Sequence, residues 1–220
     1  MKLKNKKILT DKKNHWDKFY KNFNLKLESS FARFVIKWLK NKKYNFNKNK
    51  IIDVGCGNSR DGNFFNINNL KVTGVDMSQT AIQLNKAVYP DINFYKKNIC
   101  SLGFELKNDI FNLIYARFFL HAITEPDENK FLKNCKKISN KKSIFFFEFR
   151  TTKDSLMKKG LKLKDNARFH GHYRRFIDVN FFLKKLNICK FKILYFSEGI
   201  RYAKFNKERP HVCRLIFKNI

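Results

Sequence analysis

Histidine and arginine side chains are concentrated in one short stretch of this chain of 220 residues, "RFHGHYRRFID", which runs from Arg168 to Asp178. Guanidinium groups bind carboxylates and phosphates through paired hydrogen bonds. We therefore predict that this stretch covers a binding site for a small anionic compound, with four side chains facing inward. These are His172, Tyr173, Arg174 and Arg175. A solvated basic loop is the alternative interpretation.

Two charged residues end the strongly apolar stretch "SIFFFEFR", at Glu148 and Arg150. Residues two apart in a strand face the same side of a sheet. Burying charges there costs free energy unless they are paired or serve a functional site. We predict that Glu148 and Arg150 belong to a catalytic site, and the alternative is a structural salt bridge.

The segment "NLIYARFFLHAITEP" contains a single histidine, His121, just after a predicted strand. The ordinary pKa of imidazole suits it to act as a base near neutral pH. We predict that His121 is catalytic and that Arg117, in the same segment, orients an anionic substrate. A packed histidine and a structural ion pair are the respective alternatives.

The stretch "IIDVGCGNSRDGNFF" combines a buried strand, a glycine turn at Gly55 and Gly57, and the start of a helix. Backbone N–H groups at such a turn can approach a ligand without obstruction by side chains. A phosphate-binding P-loop is excluded because no Gly-Lys-Ser/Thr follows. A dinucleotide fingerprint is disfavoured because Arg60 occupies the position of its third glycine. The remaining interpretation is a ligand site that includes two carboxylates. These are Asp53, before the turn, and Asp76, at the end of the next strand.

Asp53-x-Gly55-x-Gly57 followed by "VTGVDMS" resembles the S-adenosyl-L-methionine (SAM) site of class I methyltransferases. The segments "ARFxLH", "EFRTT" and "GHYRRFI" resemble those of bacterial small-molecule methyltransferases. The resemblance implies SAM as cofactor and S-adenosyl-L-homocysteine (SAH) as product. It also implies that Asp76 binds the ribose hydroxyls and that Asn98 replaces an acidic residue at the adenine. The implied cofactor-binding residues are Asp53, Gly55, Cys56, Gly57, Asp76, Met77, Asn98, Ile99, Tyr115 and Tyr20.

Strands and helices alternate after residue 50. Apolar patterns predict strands at 50–54, 71–76, 92–96, 110–116 and 143–149, and helices at 60–67, 78–88 and 126–138. Nearly continuous apolar strands between helices predict a mostly parallel sheet with helices on both faces. An irregular segment at 151–176, a helix at 178–187 and the strands "KFKILYF" and "HVCRLIF" follow. This order is that of a Rossmann-like class I methyltransferase, an α/β fold with a seven-stranded sheet and one antiparallel terminal strand.

We predict one methyltransferase domain over residues 1–220. Its parts are N-terminal helices at 1–45, a SAM-binding core at 46–150, a substrate-recognition insertion at 151–190 and a terminal strand pair at 191–220. Helices are predicted at about 11–23 and 30–40. Within the first, "HWDKFY" resembles the helix that often covers the cofactor in this family, which would place Trp16 and Tyr20 near the methyl group. An ordinary helix core face is the alternative.

The formal net charge of +30 is of the size that often indicates a nucleic-acid partner. However, lysines occur along the whole chain, and Lys, Asn, Phe and Ile share A/T-rich codons, so genome composition also explains the charge. The five cysteines are scattered without a CxxC pair, and neither a disulfide framework nor a metal site is expected. No apolar run approaches the roughly 20 residues of a membrane span, and no secretion signal is evident. We expect a cytoplasmic protein without membrane insertion.

The expected function is methyl transfer from SAM to a small anionic metabolite or cell-surface glycan precursor, with oxygen as the acceptor atom. An RNA or DNA methyltransferase is the first alternative, motivated by the charge. Amino-methylating enzymes of that class usually carry an (Asp/Asn/Ser)-Pro-Pro-aromatic segment after the fourth strand, where this chain has "YARF". The second alternative is a SAM-binding protein without catalysis.

Overall fold

The structure, a computed structural model, describes residues 15–21, 27–47, 49–101, 106 and 110–220. Residues 15–21 are helical and form α1. The remainder of the helix predicted at about 11–23 lies outside the described residues.

Seven strands form the central sheet, in the order β3-β2-β1-β4-β5-β10-β9. The pairings among β1 to β5 are parallel, and β10 is antiparallel to both of its neighbours. This confirms the predicted mostly parallel sheet with one antiparallel terminal strand. The bounds are β1 Lys50–Val54, β2 Lys71–Asp76, β3 Asn93–Lys96, β4 Leu113–Arg117, β5 Ile144–Arg150, β9 Phe191–Gly199 and β10 Val212–Asn219.

Helices cover both faces of the sheet and begin where the sequence provides capping groups. Ser29, Ser78 and Asp178 each accept a hydrogen bond from a backbone N–H of the first helical turn. Pro126 lies in the first turn of α5, where a missing N–H costs nothing. The bounds are α2 Ser30–Asn41, α3 Arg60–Ile67, α4 Gln79–Val88, α5 Glu125–Lys137 and α6 Val179–Ile188.

Alternate residues of β5 supply the two faces of the core. Phe145, Phe147 and Phe149 belong to the cluster that contains Phe131 of α5, whereas Phe146 belongs to the cluster formed with α2. All four β5 phenylalanines have no exposed surface. A central strand buried on both faces explains why its sequence reads as a continuous apolar run.

The prediction of an irregular segment at 151–176 is wrong. A second, three-stranded sheet forms there from β6 Leu161–Lys162, β7 Ala167–His170 and β8 His172–Arg175. Gly171 makes the turn between β7 and β8 with φ of +72°. These short strands lack a long apolar alternation, and tertiary contacts stabilise them instead, because strand formation depends strongly on packing context.

Candidate functional site

A cavity of about 500 Å³ opens at the carboxyl ends of the parallel strands. There β1 lies between β2 and β4, so the strand order reverses. Ligands of open α/β sheets bind at such a switch point. Val54 of β1, Asp76 of β2 and Arg117 of β4 all line the cavity.

The glycine turn after β1 forms one wall of the cavity. Gly55 and Gly57 have φ of +68° and +53°, values that residues with a Cβ rarely adopt. A Cβ at Gly55 would lie 2.9 Å from Cδ2 of Phe119, and a Cβ at Gly57 would collide with the Tyr20 hydroxyl. The turn therefore needs glycine both for its conformation and for the close approach of its neighbours.

The Asp76 carboxylate is held in place by backbone donors. Its Oδ2 accepts from Gly57 N at 3.0 Å, and its Oδ1 accepts from Ser78 N at 2.8 Å. Burial raises the pKa of Asp76, and these two hydrogen bonds act in the opposite direction. The carboxylate also lines the cavity, where a ligand that donates hydrogen bonds can reach it.

Helix α1 crosses the cavity beside the start of α4. Oδ1 of Asp17 accepts from Ser78 Oγ at 2.5 Å and from Thr80 N at 3.2 Å, which attaches α1 to the α4 N-terminus. The rings of Trp16 and Tyr20 stack 6.0 Å apart and line the cavity. Burial, followed by the charge of Asp76, raises the pKa of Tyr20 well above its ordinary value. This placement agrees with the predicted covering helix.

The predicted cofactor residues converge on this cavity. All ten line it, from the glycine turn to Ile99. Asn98 and Tyr115, like Asp76, also carry structural bonds: Oδ1 of Asn98 accepts from Cys100 N at 2.9 Å, and the Tyr115 hydroxyl donates to Asp61 at 2.6 Å. Asn98 thus presents its amide with one of its two oxygen lone pairs already used, and its contact with adenine stays a prediction.

A second part of the cavity wall carries histidine and arginine side chains. We call it the basic end and define it by His15, His121, Arg150, His172 and Arg174, which all line the cavity. The rings of His15 and His172 stack with centroids 4.6 Å apart, joining α1 to β8. His15 was not predicted, although it directly precedes Trp16 in the quoted "HWDKFY" segment. Only the packing of α1 against β8 brings it here.

The pKa values of the imidazoles at the basic end are lowered, which favours their neutral forms. Burial, followed by the charges of Arg150 and Arg174, lowers the pKa of His121 well below its ordinary value. Burial and then Arg174 lower the pKa of His172 to about 3, and burial also lowers that of His15. These histidines accept or donate hydrogen bonds without adding charge.

Two buried nitrogen atoms of the basic end have no hydrogen-bond partner within the described part of the chain. They are Nδ1 of His121 and Nε of Arg174. Leaving such groups unpaired is costly, more so for the charged guanidinium. A ligand that accepts from Arg174 and contacts His121 would remove this cost.

Glu148 does not line the cavity and is only 1% exposed. Its Oε1 accepts from Arg117 Nε at 2.9 Å and its Oε2 from Arg214 Nε at 2.8 Å. Glu148 is thus in structural ion pairs, but with Arg117 and Arg214 and not with Arg150, the partner that the sequence suggested. Arg117, in contrast, reaches the cavity with its orientation fixed by that bond.

Tyr173 and Arg175 also lie outside the cavity, unlike their neighbours His172 and Arg174. Nε of Arg175 donates to the Ile123 carbonyl at 3.1 Å, and its guanidinium is paired with the buried Glu128 carboxylate. Alternate residues of β8 therefore divide between the cavity, which His172 and Arg174 line, and the other side of the strand. The contacts of Arg175 attach β8 to α5.

Residues 51–142 match the family model described as a methyltransferase domain. The match covers 92 of the 220 residues and includes the glycine turn and Asp76. The glycine turn, the fixed Asp76 carboxylate and the cavity fit SAM, the cofactor that such a domain would use. A search of curated proteins finds no match to the chain.

Solved methyltransferase structures share the fold at low sequence identity. One from Clostridium acetobutylicum is 14% identical, with a TM-score of 0.64 over 86% of this chain and 91% of its own. A TehB-like SAM-dependent methyltransferase from Corynebacterium glutamicum is 14% identical, with a TM-score of 0.63 over 94% and 95%. Magnesium protoporphyrin IX methyltransferase from Synechocystis, solved with bound SAH, is 14% identical, with a TM-score of 0.65 over 86% and 81%.

Among the described residues, no helix is both long and apolar enough to cross a membrane.

Proposed function

We propose that this protein is a SAM-dependent methyltransferase that transfers the methyl group of SAM to a hydroxyl of a small anionic acceptor. The observation that carries the proposal is Arg174, which lines the same cavity as Asp76 and whose Nε has no hydrogen-bond partner among the described residues. An acidic group of the acceptor would supply the missing partner, because charge-assisted hydrogen bonds are the strong ones.

SAM supplies a methyl group that its sulfonium already activates. In the proposal, Asp76 holds the ribose, Asn98 and Ile99 contact the adenine, and the backbone of Gly55 and Gly57 approaches the methionine portion. Trp16 and Tyr20 of α1 exclude water from the reacting atoms. The contribution of the protein is then alignment of the acceptor with the methyl group and removal of the hydroxyl proton.

His121 is the proposed base. It lines the basic end, and its lowered pKa keeps it in the neutral form that accepts a proton. His121→Gln is expected to lower kcat by about 100- to 1,000-fold, the usual contribution of a positioned base.

Because the folded-state pKa of His121 is depressed, its active neutral form is lost only well below the ordinary value of 6.5. The kcat/KM profile of the wild type should therefore show no acid limb near that pH. A normal rate in His121→Gln would remove the residue from the mechanism.

Arg174 is the proposed acceptor ligand. Arg174→Gln is expected to raise the acceptor KM by about tenfold or more and to leave SAM affinity unchanged, because a charged hydrogen bond to the acceptor is lost. Arg168→Gln is the matched control. Arg168 lies on β7, where its Nε donates to the Met157 carbonyl at 2.7 Å, and it does not line the cavity. An equal KM for the wild type and Arg174→Gln contradicts the proposal.

The acceptor itself can be found with methyl-labelled SAM and a size-fractionated host extract, with and without nuclease. The proposal expects label in the small-metabolite fraction, where mass spectrometry identifies the product. Nuclease-sensitive label in the large fraction would favour an RNA or DNA methyltransferase and make the net charge of +30 functional. SAM binding without label in any fraction, with a complete set of extracts, would favour a binding protein without catalysis.

A further inference from the structure

Phe118 directly follows β4 and has a backbone conformation that bulky residues rarely adopt. Its φ is +56°, in the left-handed region. Its backbone N–H still donates to the Glu148 carbonyl of β5, at 2.8 Å. Strain of this kind persists only where the surrounding structure compensates for it, and it is concentrated at functional sites. Because the Phe118 side chain lines the cavity, the strained residue belongs to the candidate site.

The ring of Phe118 packs against the side chain of the preceding residue. Successive side chains of an extended strand point to opposite faces of the sheet. Here, however, the guanidinium carbon of Arg117 lies 4.3 Å from the centre of the Phe118 ring, within the range of a cation–π contact. The change from extended to left-handed backbone at Phe118 accounts for this contact between neighbours in sequence.

Two side chains of the basic end surround the same ring. The guanidinium carbon of Arg150 lies 5.7 Å from the centre of the Phe118 ring, and the centroid of the His121 ring lies 5.0 Å from it. Phe118 therefore contacts two cations, which come from the ends of β4 and β5, and the proposed base. The faces of an aromatic ring attract cations, so Phe118 stabilises both guanidinium groups where they approach each other.

Arg117 and Arg150 differ in what their terminal nitrogens bind. Both terminal nitrogens of Arg150 are occupied, by Asp154 at 2.9 Å and by Glu208 at 2.7 Å. Arg117 instead uses its Nε, which donates to Glu148 at 2.9 Å. Its Nη1 and Nη2 make no hydrogen bond within the part of the chain that the structure describes, and its side chain lines the cavity with 18% exposure. These two nitrogens form the fork with which arginine binds a carboxylate or phosphate.

Resting on the proposed function, we propose that Phe118 is a positioning residue that holds Arg117 so that its Nη1 and Nη2 bind an acidic group of the acceptor. Glu148 fixes one edge of the Arg117 guanidinium and the Phe118 ring covers one of its faces, which leaves the terminal fork for a ligand. The acceptor is then held by two arginines, Arg117 from β4 and Arg174 from β8. Phe118 acts through Arg117 and need not contact the acceptor itself.

Cyclohexanecarboxylate and cyclohexanecarboxamide are suitable probes, because they share one saturated ring and differ in charge. Any direct packing of Phe118 against that ring affects both probes alike, so the ratio of their affinities reports the contact with cations. We would titrate each probe into SAH-loaded protein by calorimetry at about pH 7.5, where the carboxylate is fully ionised. The SAH affinity of each variant is measured separately. Wild type is expected to prefer the carboxylate by about tenfold or more.

Phe118→Leu is expected to lower this carboxylate-to-carboxamide ratio by about threefold, because a cation–π contact of ordinary strength is lost. Phe118→Tyr keeps the ring face and should retain the wild-type ratio, and neither variant should change SAH affinity. Arg117→Gln should lower the ratio by itself. Adding Phe118→Leu to Arg117→Gln should lower it no further, since the two substitutions remove the same interaction. A role of Phe118 in packing alone would not produce this non-additivity.

Phe181→Leu is the matched control, because it removes a similar contact elsewhere. Phe181 of α6 also lies beneath a cation, with Lys185 Nζ 5.3 Å from the centre of its ring. It is 58% exposed and does not line the cavity. Its carboxylate-to-carboxamide ratio should equal that of the wild type. If Phe118→Leu does not fold, Phe118→Met takes its place, since an unbranched side chain adapts to an irregular space.

The outcomes separate this inference from the function on which it rests. A wild type without preference for the carboxylate, or a ratio unchanged in Arg174→Gln, contradicts the proposed anion site itself. A ratio that falls in Arg174→Gln but not in Arg117→Gln or Phe118→Leu overturns only the present inference. Equal effects of Phe118→Leu with and without Arg117 also overturn it. A loss of SAH affinity in Phe118→Leu with an unchanged ratio would assign the Arg117 fork to the cofactor and overturn its role at the acceptor.

Discussion

Asp76→Ala is expected to weaken SAM binding by about 100-fold, or about 2.7 kcal/mol. The wild-type carboxylate is fixed by Gly57 N and Ser78 N and offers its remaining lone pairs to the ribose hydroxyls. Alanine removes those charge-assisted hydrogen bonds and leaves the two backbone donors without their acceptor. Calorimetry with SAM measures the effect directly.

Asp91→Ala is the control for Asp76→Ala, because Asp91 is an exposed carboxylate after α4 that does not line the cavity. Its SAM affinity should equal that of the wild type. Thermal unfolding without SAM should be followed for both variants, so that loosening of the glycine turn is distinguished from loss of the ribose contact. A fully folded Asp76→Ala protein with wild-type SAM affinity would exclude Asp76 from cofactor binding.

Glu148→Ala is expected to lower the free energy of unfolding by about 3–5 kcal/mol. The Glu148 side chain has no exposed surface, and it pairs with Arg117 at 2.9 Å and Arg214 at 2.8 Å. Their side chains are only 18% and 7% exposed. Removing the shared carboxylate leaves two guanidiniums with little access to water and without this partner. Denaturant unfolding measures the loss.

Glu198→Ala provides the comparison for the Glu148 variant. It breaks the surface pair with Lys153, whose side chain is 63% exposed, and should cost less than about 1 kcal/mol. Glu148→Gln then distinguishes structure from catalysis. If the role is structural, the activity of this variant should follow its folded fraction. A Glu148→Gln protein as stable as the wild type but inactive would instead establish the catalytic role that the sequence suggested.

The sequence by itself determined the sheet and the cofactor side of the cavity. The strands are continuous apolar runs, and the glycine turn and Ser78 cap depend on residues within a few positions, so the information is local. The position of Asp76 follows in the same way, because parallel strands bring their carboxyl ends to one edge. For this reason every predicted cofactor residue lines one cavity, although their individual contacts with SAM stay predictions.

Only the tertiary structure decided which charged residues line the cavity and which form structural ion pairs. Arg174 and Arg175 are adjacent and identical in type, yet Arg174 lines the cavity while Arg175 pairs with Glu128 in the interior. The pairing of β7 with β8 selects the face, and neither short strand has an apolar pattern that reveals it. Partners distant in sequence decide the rest: Arg214 holds Glu148 from the last strand, and Glu208 reaches Arg150 from the loop before it. Ion pairs between residues so far apart in sequence form only in the folded chain. The sequence gives the charge of each residue, but it does not show which residues become its neighbours in space.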